Sequence, residues 1–416
     1  MRRWMKQVAM KKCLVEVVPT SLRSIKLTKA LMRATGLWHS SSKSSGLWSN
    51  VVLALVLLLM IYSVFVQAQE LIYAGSSITA ITFAAPVATV VVTESSKLVV
   101  FIAKRRKMVN LNKFVDSQFW KKIYSDEELV IFNDCDRMCF RLIGIYCTLL
   151  LGTCSMYLIL PIIGMDTELS PQRELPFPMR IASPLYESPY YEMYFALEIV
   201  GTLTVGLCVS TFASYQFAVN LFTAVQFKIL NTHLTSLCDF EDDARDERNT
   251  ERQMKALTKL KGLITTHQTL IDLTKQIEDL CCYVMLEQVF GSTSQICFCG
   301  LQILLAKSTL TRTVLSVEFL LSSVLQLYFY CYSSHMIFEA SESVSQAIYS
   351  MKWFKITDPK LHKEFRQLLL IISMRARRPC VLTVGKFYPL TLAAFSSVLS
   401  TSMSYFTVLR QLLYNQ

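Results

Sequence analysis

Seven stretches of this chain are each long and apolar enough to cross a bilayer as one helix, and no other feature restricts its fold so strongly. A hydrocarbon core asks for about 20 consecutive, mostly apolar residues per helix. The stretches lie at about 49–69, 76–103, 140–163, 194–224, 281–306, 313–338 and 385–413. Backbone polar groups cannot go unpaired in lipid, so the expectation is an all-α membrane protein of seven transmembrane helices. Glu94 and Lys97 fall near the end of the second stretch, where its helix is expected to leave the hydrocarbon. Pro86, in the middle of that stretch, is tolerable where neighbouring helices re-satisfy the freed carbonyl. Composition agrees: 52% of residues are hydrophobic and only 18% charged, against about a quarter in soluble domains.

Lys and Arg set the orientation. The segment before the first stretch and the loops after the second, fourth and sixth carry 33 of them; the remaining connections carry 4. The N-terminus is therefore expected in the cytoplasm and the C-terminus outside, the inverse of a G-protein-coupled receptor. The first apolar stretch follows a basic arm of 48 residues, too long a lead for a cleaved signal peptide, so the arm is expected to stay where it is made. The net charge of +11 is accounted for by basic loops beside an acidic leaflet and calls for no nucleic-acid partner.

Catalytic and metal chemistry find no support. The thirteen cysteines form no CxxC pair, and His39, His233, His267, His335 and His362 stand in no metal-ligand or acyl-transfer spacing, so no enzyme and no cofactor is expected. Paired broken helices in two halves, the mark of a transporter, are absent.

The cytoplasmic side holds more than loops. In residues 253–280, Met254, Leu257, Leu260, Ile264, Leu270, Leu273, Ile277 and Leu280 recur at three and four, an amphipathic helix running into the fifth span. Together they reach about 80 Å, and the apolar stripe needs a partner. Leu368, Leu369, Ile371 and Ile372 in a second helix could supply it within the chain, or another subunit could. The expected division is an arm over 1–48 and a seven-helix domain over 49–416, with anchor helices at about 250–280 and 339–384 and a last helix at about 385–413.

That last stretch is rich in hydroxyls. On a 3.6-residue period Ser397, Thr401, Ser404 or Tyr405, Val408 and Gln411 or Leu412 fall along one stripe. Such a stripe either lets another helix pack closely or faces water, with Val408 and Leu412 able to close a pore by dewetting.

KFYPLTLAAFSSVLSTSMSYFTVLRQLL, preceded by RARRPCVLTVG, resembles the end of the insect odorant receptors, as do the seven spans and the long outer loop between the third and fourth. The related gustatory receptors end in Thr-Tyr, five mostly apolar residues, then Gln-Phe; here Tyr405 and Gln411 are kept and both flanking residues differ. A gustatory receptor acting without a co-receptor remains the alternative. The resemblance implies a ligand-gated, non-selective cation channel of four subunits in the plasma membrane of a sensory neuron dendrite. It implies a pore lined by the last helix, with Val408 and Leu412 at the hydrophobic gate and Gln411 as the polar pore residue. It also implies a small volatile odorant as ligand, permeating cations, and assembly with an odorant receptor co-receptor. The loop after span four, 228–262, about 35 residues, is short for the co-receptor itself, which implies a tuning subunit. The pocket is expected in the outer half among spans two to six, with Thr82, Phe83, Leu150, Thr153, Tyr157, Tyr194 and Glu198 as candidates. For the aromatic residues an interfacial belt is the competing reading.

Overall fold

A computed structural model describes residues 22–38, 43–75, 77–120, 124–165, 175–177, 187–239, 247–305 and 310–414. The described chain is helical apart from one two-residue hairpin. The long helices are α2 (Lys43–Ala74), α3 (Ile78–Ala103), α5 (Asp126–Met165), α6 (Tyr190–Thr235), α7 (Glu247–Leu305), α8 (Leu310–Ser350) and α10 (Leu392–Tyr414). Shorter helices are α1 (Arg23–Ala34), α4 (Arg105–Val115) and α9 (Pro359–Ala376). Among the described residues α2, α3, α5, α6 and α8 are long and apolar enough to cross a membrane, and Leu392–Val408 forms a shorter apolar helix. The end of α7 coincides with the remaining predicted run.

The arm is not a separate piece. Within it α1 buries Ile25, Thr28 and Met32 and packs on α5 and α6. Asp136 of α5 accepts from the backbone N–H groups of Arg23 and Ser24, both at 3.0 Å, so a side chain more than a hundred residues away caps the start of α1. Gly36, with φ of +70°, turns the chain out of α1; a Cβ there would lie 2.5 Å from the Ser49 carbonyl oxygen. A side chain at that position is excluded by both conformation and space.

At the centre stands α6, packed against α8, α5, α1, α2 and α7. From Cys208 to Leu230 nearly every residue is buried, as a helix surrounded by others requires. Three of its amide groups pair inside the bundle: Gln216 donates to Asn220 at 2.9 Å, Asn220 donates to Ser333 at 3.1 Å, and Gln226 donates to Tyr124 at 2.9 Å.

Glu94 and Lys97 depart from expectation. Neither reaches water: both are buried, with Lys97 Nζ 2.5 Å from Glu94 Oε1 and 2.5 Å from Gln288 Oε1, and 5.6 Å from the centre of the Tyr330 ring. The pair turns inward because α7 and α8 offer the acceptor and the ring that make burial of an ammonium tolerable.

Both α7 and α8 run well past the predicted spans. α7 has 59 residues, about 90 Å of helix, and α8 continues to Ser350, into the stretch expected to form the second anchor. α9 starts where Asp358 accepts from Lys360 N and Leu361 N, with Pro359 in the first turn. Its buried stripe is Leu361, Phe365, Leu369, Ile372 and Ala376, and it packs against α7 and α8, with Lys261 of α7 2.6 Å from Glu364. Intramolecular packing thus takes most of the α7 stripe, each buried Leu contributing about 1.5–3 kcal/mol. Met254 and Ile371, placed in those stripes by periodicity, are exposed instead.

Candidate functional site

Between α2, α3, α5, α6 and α8 lies a cleft of about 650 Å³ including its mouth. α5 contributes Leu150, Thr153, Cys154 and Tyr157, one face of a helix at three- and four-residue spacing. Val87, Val90 and Val91 of α3 form a second wall. Glycines of α6 let its neighbours come close: a Cβ on Gly201 would meet Ser63 Oγ at 3.1 Å, and one on Gly206 would meet Cys154 Sγ at 3.0 Å. Aromatic rings close the end, with Tyr157 stacked on Phe177 at 5.9 Å and edge-on to Phe319 at 6.3 Å.

Of the expected ligand residues, Leu150, Thr153, Tyr157 and Glu198 line this cleft. Phe83 stands behind it, tilted against the Tyr157 ring at 6.2 Å. Thr82 is buried and Tyr194 half-buried, and neither is part of the lining. Among the other aromatic residues at the start of α6, Tyr191 stacks on Phe195 at 5.8 Å while Tyr190 is exposed. Glu318 lies against Gly152, whose Cβ would approach its Oε1 to 2.7 Å. Tyr62, Ser63, Val66 and Gln67 of the first span also form part of the wall, whereas span five contributes no described residue. No helix-face arithmetic points to Tyr62, because its place depends on how α2 packs against α6.

The second site is α10, which touches α7 and α8 and no other long helix to a comparable extent. Ala394, Val398 and Ser402 form its buried face. The Cys297 thiol donates to the Ser402 carbonyl at 3.3 Å, a Cβ on Gly300 would lie 3.0 Å from Phe406, and Tyr328 meets Phe395 edge-on at 5.7 Å. The predicted stripe is elsewhere: Ser397, Thr401, Ser404, Tyr405, Val408 and Gln411 are all exposed. The side chain of Leu412 lies outside the described residues. Thr401 and Ser404 donate to the carbonyls one turn back, at 2.8 and 3.0 Å, so these hydroxyls need no other partner and retain acceptor capacity.

A hairpin of Thr383–Val384 and Tyr388–Pro389 leads into α10. Glu278 of α7 accepts from the Thr383 amide at 2.9 Å and from its hydroxyl, and Gly385 N–H donates to the Cys282 carbonyl at 3.1 Å. Gly385 and Lys386 have φ of +58° and +68°. The Gly-Lys-Phe stretch is thus a tight turn clamped on α7.

Residues 77–403 match the seven-transmembrane odorant receptor family. Odorant receptor 10 of Aedes albopictus is 28% identical over 55% of this chain and 58% of its own length. Odorant receptor Or2 of Anopheles gambiae is 26% identical over 59% of this chain and 63% of its own. The chain thus spans about three fifths of the length of these curated relatives. Among solved structures, the olfactory receptor OR5 of Machilis hrabei in complex with eugenol superposes with a TM-score of 0.79 at 18% identity, covering 94% of this chain and 99% of that one. On this match the chain belongs to the insect odorant receptor family, whose members are receptors and not enzymes.

Proposed function

We propose that this chain is the odorant-tuned subunit of a heteromeric, ligand-gated, non-selective cation channel, with seven spans, a cytoplasmic N-terminus and an outer C-terminus. One observation carries the reading: α10 holds the bundle with Ala394, Val398 and Ser402 and leaves Ser397, Thr401, Ser404, Tyr405 and Val408 uncovered. A helix that served only to pack would bury its hydroxyl stripe. Around a central axis the stripe forms a wetted wall with an apolar constriction at Val408 and Leu412, which closes by dewetting.

The ligand site is the cleft, which is largely apolar with a few polar groups, as suits a small volatile. The eugenol complex of the Machilis receptor supports this by analogy of fold. α8 touches both sites, since Phe319 lines the cleft and Tyr328 meets α10, and it is the element a ligand would bias. On the cytoplasmic side Leu370, Ile371, Met374 and Phe354 are exposed, an apolar surface suited to meeting other subunits. The partner is an odorant receptor co-receptor, and the location is the plasma membrane of a sensory dendrite. Odorant-evoked current should appear when the chain is expressed with a co-receptor and be absent without it. Robust current from the chain alone would contradict the heteromeric reading.

A further inference from the structure

The cleft and its surroundings hold buried polar atoms without hydrogen-bond partners. Glu198 is buried; one carboxylate oxygen accepts from the Phe177 amide at 3.1 Å, and the other makes no hydrogen bond among the described residues. Gln67 Oε1 and the Tyr62 hydroxyl, also on the wall, are likewise buried and unpaired, as is Glu70 Oε2 one turn beyond Gln67. Gln67 and Glu70 are hydrogen-bonded to each other, which leaves these other atoms unused. Glu70 and Glu198 are within electrostatic reach of one another. No Lys, Arg or His is among the described lining residues.

Buried polar groups are almost always satisfied, and carboxyl groups most of all. Three of the four idle atoms are two carboxylate oxygens and an amide oxygen, so what the cleft lacks is donors. The rest of the wall, including Val66, Val87, Leu150 and Phe319, is apolar. We infer that the cleft takes a small molecule whose polar end is a hydrogen-bond donor, an amine above all, seated on Glu198 with its hydrocarbon part among the valines and rings. This rests on the cleft being the odorant site. A primary ammonium brings three N–H donors and a positive charge. Arriving neutral, an amine takes its proton from a carboxyl group; arriving charged, it meets a carboxylate. The same N–H to oxygen pair results. An ether or ester brings only acceptors and leaves the idle carboxylate and amide oxygens unpaired.

The test uses the chain co-expressed with a co-receptor and amine, alcohol and methyl ether on matched benzyl, hexyl and cyclohexyl skeletons. Evoked current gives potency, and thermal shift of the purified complex gives binding without gating. On the skeleton that fits best, the amine should be at least about tenfold more potent than the ether, with the alcohol between. Glu198→Gln should remove that advantage while surface labelling stays unchanged, and Glu70→Gln should reduce it about threefold. Ethers equal to amines in both readouts would overturn the inference and leave the odorant reading standing. Amines that shift melting through Glu198 yet evoke no current would uphold the inference and contradict the channel reading. Arg173 and Arg180 of the outer loop lie outside the described residues. An amine response that arises only in their Gln variants would show that the chain itself supplies the counter-charge, and would also overturn the inference.

Discussion

α6 and α10 are both rich in hydroxyl and amide side chains, and the structure treats them in opposite ways. α6 stands in the middle of the bundle and turns Ser210, Thr211, Ser214, Gln216, Asn220 and Thr223 inward. Its amide groups are spent inside the bundle, Asn220 on Ser333 of α8 and Gln226 on Tyr124 just ahead of α5. α10 sits at the edge, commits one narrow face to α7 and α8, and leaves most of its hydroxyls uncovered. Polar residues in an apolar helix therefore have two distinct uses here. In α6 they are buried inside the bundle, and in α10 they stay uncovered, which on our proposal leaves them to water in an assembly.

The comparison predicts unequal sensitivity. Asn220→Leu would leave the Gln216 amide without its buried acceptor and take from Ser333 its donor, at a cost of about 3 kcal/mol. Surface labelling should fall several-fold. Retention of wild-type labelling would show that the α6 network is dispensable.

The inner end of α6 supplies the next effect. His267 of α7 is buried and lies edge-on to Phe227 of α6 at 6.4 Å. Burial, with the Arg375 guanidinium nearby, pushes its pKa down to about 4, below the ordinary 6.5. The neutral imidazole is the form that fits, so its contribution is complete above pH 6.5 and is lost as the pH falls from 6.5 towards 4. Between pH 7 and 5 the purified complex should lose about 2 kcal/mol from this group, at about 1.4 kcal/mol per pH unit below 6.5. His267→Phe should flatten that part of the melting profile. An unchanged acid slope in the variant would exclude His267 as its source.

A smaller effect belongs to the hairpin ahead of α10. Gly385→Ala places a Cβ 2.9 Å from Leu286 at positive φ and should cost about 1–2 kcal/mol. Loosening the clamp on α7 should lower evoked current more than surface labelling. Equal losses would mean that the hairpin is structural only.

The smallest change in stability is expected on the uncovered face. Val408→Ser should alter labelling little, since exposed substitutions stay within about 0.5 kcal/mol, yet raise basal cation leak by hydrating the constriction. Val398→Ser, on the buried face, should do the reverse.

Hydropathy placed an apolar run in each of the seven long helices, five of which are long and apolar enough to cross a membrane, and three- and four-residue spacing brought Leu150, Thr153 and Tyr157 to one wall. What it could not place depends on contacts distant in sequence. α1 is short and basic, and its capping Asp136 comes from another helix. Glu94 and Lys97 read as a helix end until Gln288 and Tyr330 supply them with an interior. Tyr62 and Gln67 enter the cleft only because α2 meets α6 at Gly201. The uncovered stripe was visible as a period, but the packing role of Ala394, Val398 and Ser402 depends on α7 and α8, where Gly300 leaves room for Phe406.

The central claim is that the uncovered face of α10 meets water and not lipid or protein. Thr401→Cys and Ser404→Cys, each co-expressed with a co-receptor and opened by odorant, can be treated with a cationic methanethiosulfonate reagent, which needs a hydrated thiolate. Progressive, irreversible loss of current in both, with Val398→Cys and Ser402→Cys unaffected, is the predicted result. Current that persists in the first pair, or declines equally in the second, would contradict it.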